Sequence, residues 1–252
     1  MDTTQVRQSG FLWNIRVANG FEDLKVISEV IASDVYNLEE LSDCIDPKVI
    51  LDVGGHIGSF GIYAKSKWPE ALLVAVEPCR ESAALYRKNL RDNGLHKNSY
   101  VISAGVSYDP NRTCLVHSPG TTGGHLLRSK VDAEMYTTES YRGYNGIDSY
   151  NIKTITIEDI CEKYNIDTID LAKWDCEGGE VDAFMNMSTE AVAKFRLIVG
   201  EYHLWNKDTR YLRCPKFFCY TFWKDVKRKF KHLNWNYKED RLGLFQAWPK
   251  CG

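Results

Sequence analysis

The sequence has no apolar run long enough to cross a membrane, and its start lacks the basic patch and apolar stretch of a targeting peptide. Its most apolar segments, such as residues 71–76, are far shorter than the roughly 20 residues that a spanning helix needs. We therefore expect no membrane span, no signal peptide and no transit peptide. The expected location by default is the cytoplasm.

Paired cysteines and a strong charge of either sign are also missing. The eight cysteines of the 252-residue chain form no CxxC pair, which predicts reduced, mostly buried thiols rather than a disulfide scaffold. A formal net charge of -2 provides no general attraction for phosphates, so nucleic acid is not a favoured partner. The hydrophobic fraction of 44% and charged fraction of 26% exclude disordered and fibrous classes. The sequence leaves the oligomeric state open, a homo-oligomer included.

Short apolar strands alternate with helical segments along most of the chain. Buried strands are predicted at residues 49–53, 72–76, 100–106, 169–174 and 195–199. Helices are predicted at residues 57–67, 81–91, 157–164 and 181–187. This alternation predicts parallel βαβ units, and hence an α/β fold in a single domain spanning residues 1–252. Two last strands, at 235–237 and 242–248, predict a closing antiparallel hairpin.

Two segments depart from this alternation. Residues 1–47 contain apolar residues at helical spacing between positions 21 and 32, and we expect them to form a helical cover on one edge of the domain. Residues 118–151 are rich in glycine, serine, threonine and tyrosine. A segment of this length without regular structure is usually functional, so we interpret it as an insertion or a lid over the site, with a surface loop as the alternative.

A glycine turn follows the first predicted parallel strand. In the stretch VILDVGGHIGSFGIY, Asp52, Gly54 and Gly58 form the pattern DxGxxxG, and Glu77 ends the next strand. A glycine turn that leads into a helix lets a ligand approach the backbone and its amide donors. A carboxylate about 20 residues further on can accept both hydroxyls of a ribose. The pattern therefore predicts a site for a nucleoside-containing cofactor.

The spacing of the glycines separates two cofactor classes. A dinucleotide site requires GxGxxG, but counting from Gly54 the second and third glycine positions hold His56 and Ser59. The pattern favours S-adenosylmethionine over a nicotinamide dinucleotide. An NAD(P)-dependent oxidoreductase of Rossmann type remains the alternative enzyme, and a catalytically silent cofactor-binding scaffold the alternative that is not an enzyme.

A second motif identifies a family. The stretch IDLAKWDCEGGEVDAF, residues 169–184, resembles the KxDxEGxE signature of the FkbM-type methyltransferases, and DVGGHIG resembles their DVGANIG. The resemblance extends from about Val35-Tyr36 to the EYH at residues 201–203. It implies a Rossmann-like class I methyltransferase fold with a reversed hairpin at one edge. It also implies S-adenosylmethionine-dependent O-methylation of a hydroxyl on a sugar, polysaccharide or natural-product acceptor.

The positions that match the family imply a cofactor site. The expected cofactor-binding residues are Tyr36, Asp52, Gly54, Gly55, His56, Ile57, Gly58, Glu77, Pro78 and Asp175. Gly55 and His56 stand where the family usually has alanine and asparagine, and Trp174 and Cys176 replace aliphatic residues beside Asp175. These departures leave backbone contacts intact but change the shape expected for the methionine pocket.

The expected catalytic residues are Asp175, Glu177 and His203. Methyl transfer from a sulfonium is an in-line displacement, so the protein must align the reacting atoms, and a hydroxyl must also lose its proton. His203 follows the strand that ends at Glu201 and is our candidate general base, while Asp175 would orient the cofactor amine or the acceptor hydroxyl. A histidine bonded to neighbouring backbone is the alternative. Asp175, Glu201 and His203 could instead bind a divalent metal, although no metal is favoured.

Overall fold

The computed structural model describes residues 2–18, 20–111, 113–117, 126–128, 148–177, 179–201, 216–239 and 244–250. The strands in these parts are β1 (Thr3–Gln8), β2 (Phe11–Arg16), β3 (Val49–Val53), β4 (Leu72–Val76), β5 (Ser99–Ile102), β6 (Gly105–Val106), β7 (Cys114–His117), β8 (Leu126–Arg128), β9 (Asp148–Asn151), β10 (Thr154–Ile155), β11 (Leu171–Trp174), β12 (Ile198–Glu201), β13 (Trp235–Glu239) and β14 (Leu244–Pro249).

The helices alternate with the strands of the central sheet. They are α1 (Gly20–Ile27), α2 (Leu38–Cys44), α3 (Ser59–Lys67), α4 (Arg80–Asp92), α5 (Ile157–Tyr164), α6 (Gly179–Asn186), α7 (Thr189–Val192) and α8 (Lys216–His232), and a π-helical turn, Ser28–Ala32, continues α1. Within the described ranges, no helix combines the length and the apolar character needed to cross a membrane.

A seven-stranded sheet forms the centre of the described chain, in the order β13-β14-β12-β11-β3-β4-β5. The five strands from β12 to β5 run parallel to one another, whereas β14 runs antiparallel to both β12 and β13. The predicted fold class is thereby confirmed: a mostly parallel sheet with helices on both faces and a C-terminal antiparallel hairpin.

Two apolar cores cover the two faces of this sheet. Leu51 and Val53 of β3 join the core formed with α5, α6 and α8, whereas Ile50 joins the core formed with the N-terminal segment, α3 and α4. Successive side chains of a strand point to opposite faces, which explains this division. Because both faces are covered, the polar residues that the strands carry collect at the ends of the strands.

The N-terminal segment differs from the helical cover that the sequence predicts. Its first described residues form an antiparallel hairpin of β1 and β2, in which Gln8 pairs with Phe11. Ser9 (φ 50°) and Gly10 (φ 83°) both have positive φ, as a two-residue type I′ turn requires. The predicted helix at residues 21–32 is present as α1 and its π-helical continuation. The cover therefore consists of a hairpin followed by helices.

Two further segments differ from expectation. The strand predicted at 100–106 is divided, since β5 joins the central sheet and β6 pairs with β10 instead. Within residues 118–151, β8 and β9 are strands that pair with β7 in a separate three-stranded sheet. The rest of that segment lies outside the described residues, so the lid stays a prediction.

Candidate active site

A cavity of about 450 Å³ lies where the carboxyl ends of β3, β4, β11 and β12 meet. Parallel strands bring their carboxyl ends to one edge of a sheet, and ligands of such sheets bind there. The predicted site residues that line this cavity are Tyr36, Gly54, His56, Glu77, Pro78, Asp175 and Glu177. The sequence motifs, which are more than 100 residues apart, therefore meet around one cavity.

The glycine turn after β3 is packed too closely to tolerate a side chain. Gly54 has φ 78°, and a Cβ atom there would lie 1.8 Å from the backbone oxygen of Asp175. Gly58 has φ 101°, and a Cβ atom there would lie 2.2 Å from the ring of Tyr86. The amides of Gly54 and Gly55 donate to the backbone oxygen of Val76, at 3.0 and 3.2 Å. The turn is thus fixed between β4 and the end of β11.

Asp175 is held from two sides at the edge of the cavity. The hydroxyl of Tyr36 donates to Oδ2 of Asp175 at 3.0 Å, and the ammonium of Lys173 lies 3.3 Å from the same oxygen. Burial, together with the carboxylates of Asp175 and Glu201, raises the pKa of Tyr36 far above its usual value. The phenol therefore stays protonated and remains a hydrogen-bond donor to Asp175.

Lys173 connects Asp175 to the glycine turn. It is 4% exposed, and its Nζ donates to the backbone oxygen of Gly54 at 2.7 Å and lies 3.6 Å from Oδ1 of Asp52. Burial alone would lower the pKa of Lys173, but the two carboxylates outweigh it and raise that pKa, so the side chain is a buried cation. The second motif does not by itself indicate this role for Lys173, although alternation along β11 places residues 173 and 175 on one side of the strand.

Four of the expected cofactor residues do not line the cavity. Asp52 is fully buried beneath the turn, where it accepts a 2.9 Å hydrogen bond from the hydroxyl of Tyr86 and faces Lys173. Burial raises the pKa of Asp52. Ile57 belongs to the apolar core, and Gly55 and Gly58 pack on Tyr86. The structure therefore places all four as support for the turn.

Glu77 directly follows β4, and two backbone amides fix its carboxylate. Oε1 accepts from the amide of Cys79 and Oε2 from the amide of His56, each at 2.8 Å. Glu77 is 5% exposed, and burial raises its pKa to about 7. The carboxylate that the sequence predicts for ribose binding thus lines the cavity in a defined orientation.

His56 contacts two residues of the N-terminal segment that sequence reasoning missed. Its Nε2 lies 2.6 Å from Nη2 of Arg16 and 3.2 Å from Oδ1 of Asp23. Burial, with the charge of Arg16, lowers the pKa of His56, so its ring is neutral near pH 7. No local pattern signals this contact, because Arg16 and Asp23 lie well outside both motifs.

The other predicted catalytic residues are only partly described. Glu177, with φ 55°, and Glu201, at the end of β12, both line the cavity. His203 lies outside the described residues, as does Gly178 of the second motif. Among the described residues, no group of three histidine, cysteine or acidic side chains is arranged to bind a metal ion. The metal alternative includes His203 and therefore stays a hypothesis.

The walls of the cavity carry an excess of negative charge. Among the described residues that line it, five carry carboxyl groups and one, Lys25, carries an ammonium group; the acidic residues are Glu29, Glu77, Asp175, Glu177 and Glu201. Lys173, behind the wall, offsets part of the charge of Asp175. An acidic cavity raises the local concentration of positively charged ligands. The site is thus suited to a ligand that carries positive charge.

Comparison with known proteins gives a consistent result. The family model of the methyltransferase FkbM domain matches residues 52–234 of the chain. Methyltransferase sdnD of Sordaria araneosa is 23% identical over 192 residues, which cover 70% of this chain and 73% of that protein. Methyltransferase 1 of Beauveria bassiana is 24% identical over 155 residues, which cover 58% of this chain and 60% of that protein.

Solved structures agree on the fold. An O-methyltransferase from Bacillus cereus in complex with SAH superposes with a TM-score of 0.50 at 12% identity, covering 94% of this chain and 92% of that chain. At this identity the likeness shows the fold, which is that of the class I methyltransferases.

Proposed function

The chain belongs to the FkbM methyltransferase family, and we propose that it transfers the methyl group of S-adenosylmethionine to a hydroxyl of a sugar, polysaccharide or natural-product acceptor. One observation carries this proposal. Asp175 of the second motif is held by Tyr36 and Lys173 directly beside the glycine turn, within the cavity that Glu77 also lines. Two motifs that resemble the family's therefore form a single site.

The residues that line the cavity fit this cofactor in size and chemistry. A volume of about 450 Å³ lies within the range of roughly 300–1,000 Å³ that is usual for small-molecule sites. Glu77 would accept hydrogen bonds from the ribose hydroxyls, and Gly54, which lines the cavity, would bring the backbone of the turn close to the cofactor. The excess of carboxylates would offset the sulfonium and ammonium charges of the cofactor.

The contribution of the protein to the reaction is mainly alignment. S-adenosylmethionine supplies an electrophilic methyl group on a sulfonium, so the acceptor oxygen must lie in line with the methyl group and the sulfur. Asp175, fixed by two neighbours, would orient the acceptor hydroxyl or the cofactor amine, with Glu177 beside it. Removal of the hydroxyl proton is assigned to His203, a proposal that rests on its place two residues after Glu201.

The proposal is tested by supplying labelled S-adenosylmethionine together with glycan and metabolite fractions, followed by mass spectrometry of the products that gain a methyl group. We expect a methyl ether to form with the native protein and little product with Asp175→Asn, which keeps the size of the side chain. A methyl group on nitrogen or carbon would overturn the choice of acceptor atom.

The alternatives give different outcomes in the same preparation. Binding of NAD without binding of S-adenosylmethionine would support an oxidoreductase instead. Binding of S-adenosylmethionine with no methylated product from any fraction would support a silent scaffold. Loss of activity in a chelator, restored by a divalent ion, would support the metal alternative.

A further inference from the structure

We propose that Arg16 and Asp23, two buried residues outside the family match, are positioning residues for the cofactor turn and act through His56. This inference rests on the proposed function, since it gives the turn its role in binding the cofactor. Arg16 is 3% exposed and Asp23 fully buried, and neither lines the cavity. Their effect on a ligand must therefore pass through a neighbour.

The contacts form a compact network. Nε of Arg16 donates to Oδ2 of Asp23 at 3.1 Å, and Nη2 donates to Oδ1 of Asp23 and also lies 2.6 Å from Nε2 of His56. The backbone amide of Arg16 donates to Oδ2 of Asp23 at 3.0 Å. Arg16 ends β2 and Asp23 lies in α1, so the network joins the hairpin and the helix of the N-terminal segment to the turn.

This network selects one tautomer of His56. A guanidinium can only donate hydrogen bonds, and Nη2 carries two hydrogens. One hydrogen serves Oδ1 of Asp23 and the other lies towards Nε2 of His56. Oδ1 of Asp23 also lies 3.2 Å from Nε2, but the contact with Nη2 is shorter, at 2.6 Å, and a protonated Nε2 would set two donors against each other. We therefore assign Nε2 as the acceptor. In the neutral ring the proton then lies on Nδ1. The charged groups around the ring are Arg16, Asp23, Lys173 and Glu77, whose Oε2 accepts the amide hydrogen of His56.

The Nδ1–H group of this tautomer has no acceptor among the described residues. Nδ1 of His56 is buried there without a hydrogen-bond partner, while the residue itself lines the cavity. A buried donor of this kind costs free energy until an acceptor arrives. An oxygen of the bound cofactor would satisfy it. The amide of His56 also holds Glu77 at 2.8 Å, so a fixed ring fixes the carboxylate proposed for the ribose.

The backbone at His56 favours such a support. His56 has φ 48°, in the left-handed region that only a small fraction of residues other than glycine adopt, although asparagine, aspartate and histidine do so more often than the rest. The Arg16–Asp23 pair would hold the imidazole ring, which is larger than the asparagine side chain usual in the family, in this conformation. Because the family match begins at residue 52, this support comes from a part of the chain that the family model does not include.

The inference is tested by measuring the dissociation constant of S-adenosylhomocysteine by calorimetry in a cycle of two changes. Arg16→Lys keeps the buried positive charge and the ion pair, but it lacks the planar guanidinium group that bridges Asp23 and His56. We expect it to weaken binding about tenfold in the native background, the size of one charge-assisted hydrogen bond. In a His56→Asn background, where the shorter side chain cannot reach residue 16, we expect the same change to alter the constant less than about twofold.

Asn93→Ala is the matched control. Asn93 joins β2 to α4 by two hydrogen bonds with the backbone of Leu12, at 2.9 and 2.6 Å, and does not touch the turn. We expect this variant to lower the melting temperature and leave the affinity unchanged. An Arg16→Lys protein that binds normally, or one that loses affinity equally in both backgrounds, would overturn the inference.

A measurement on the native protein is independent of how the variants fold. Nitrogen-15 spectra of labelled histidine, with His56→Asn for assignment, should show His56 protonated on Nδ1 and not on Nε2. The opposite tautomer would overturn the inference. If the native protein binds no S-adenosylhomocysteine at all, the proposed function fails, whereas the tautomer result still reports on the network.

Discussion

The hydroxyl of Tyr36 donates a 3.0 Å hydrogen bond to Oδ2 of Asp175, across 139 positions of sequence. Both residues were expected at the cofactor site, but nothing in the sequence indicates that they touch. The bond ties the N-terminal segment to the second motif. Tyr36 and Lys173 together restrict the motion of the Asp175 carboxylate at the cavity.

Tyr36→Phe removes this bond and keeps the ring. We expect kcat to fall about tenfold to a hundredfold, because a hydrogen bond to a charged group contributes about 1.5–3 kcal/mol. Steady-state kinetics with the acceptor found by mass spectrometry measures the change. Tyr63→Phe is the control, since the Tyr63 hydroxyl bonds to Glu39, away from the cavity, and its loss should leave kcat unchanged.

Lys173→Met should lower the free energy of unfolding by about 3–5 kcal/mol, because it leaves the fully buried carboxylate of Asp52, and the partly exposed carboxylate of Asp175, without their cation. Urea unfolding measures this difference. Lys97→Met breaks an exposed ion pair with Glu70 and should cost less than about 1 kcal/mol. Equal effects of the two changes would show that Lys173 does not balance the carboxylates.

Gly54→Ala should abolish binding of S-adenosylhomocysteine, since the new Cβ would collide with the backbone of Asp175 at 1.8 Å and force the turn apart. Gly94→Ala is a close control. Gly94 has φ 71°, near the 78° of Gly54, but nothing lies within 4 Å of its Cβ position. The Gly94→Ala substitution should lower the stability by about 1–2 kcal/mol, the strain of a positive φ, and leave the affinity for S-adenosylhomocysteine unchanged. Tight binding by the Gly54→Ala protein would contradict the close approach seen here.

Glu77 should make stability depend on pH. Burial raises its pKa from 4.5 to about 7 in the folded protein, so the folded state holds this proton more tightly than the unfolded state. Stability from this group is fully present below pH 4.5 and is lost as pH rises towards about 7. As the pH rises from 4.5 to about 7, the free energy of unfolding of Glu77→Gln should therefore increase by up to about 3 kcal/mol relative to that of the native protein, because glutamine does not ionise.

Urea unfolding at several pH values measures this divergence. Glu70→Gln, which removes a carboxylate that is exposed at the surface, controls for the change in net charge. Parallel stability curves for the native protein and Glu77→Gln would show that the buried carboxyl group does not hold its proton.

His203→Gln should lower kcat by about a hundredfold to ten-thousandfold if His203 removes the hydroxyl proton. The affinity for S-adenosylhomocysteine should change little, since proton removal concerns the acceptor. Undiminished turnover of the true acceptor would remove His203 from the mechanism.

Local patterns in the sequence predicted most of the described fold. The spacing of apolar residues located the helices around the central sheet. The hairpin of β1 and β2 was missed because β1 is mostly polar and exposed, and because its turn, Ser9-Gly10, is a weak signal beside the stronger helical pattern that follows. Regular periodicity is visible in a sequence, whereas the pairing of a polar strand with β2, which carries Trp13 and Ile15 into the core, is not.

The site was only partly predictable for a related reason. The motifs identified Glu77 and Asp175, because each directly follows a predicted strand and the carboxyl ends of parallel strands meet at one edge of the sheet. Asp52 is one residue before the end of β3, and sequence alone does not tell whether its carboxylate faces a ligand or a buried lysine. The role of Arg16 and Asp23 could not be predicted from the sequence either, because only tertiary packing brings them into contact with His56.

The single ammonium group of Lys173 neutralises Asp52 under the turn and also holds Asp175 at the cavity. Attempts to engineer a new acceptor preference by changing the surroundings of Asp175 will therefore also alter thermal tolerance. Laboratory evolution of this enzyme should find its permissive positions elsewhere on the cavity wall, at residues such as Lys25 and Glu29, which are more than half exposed.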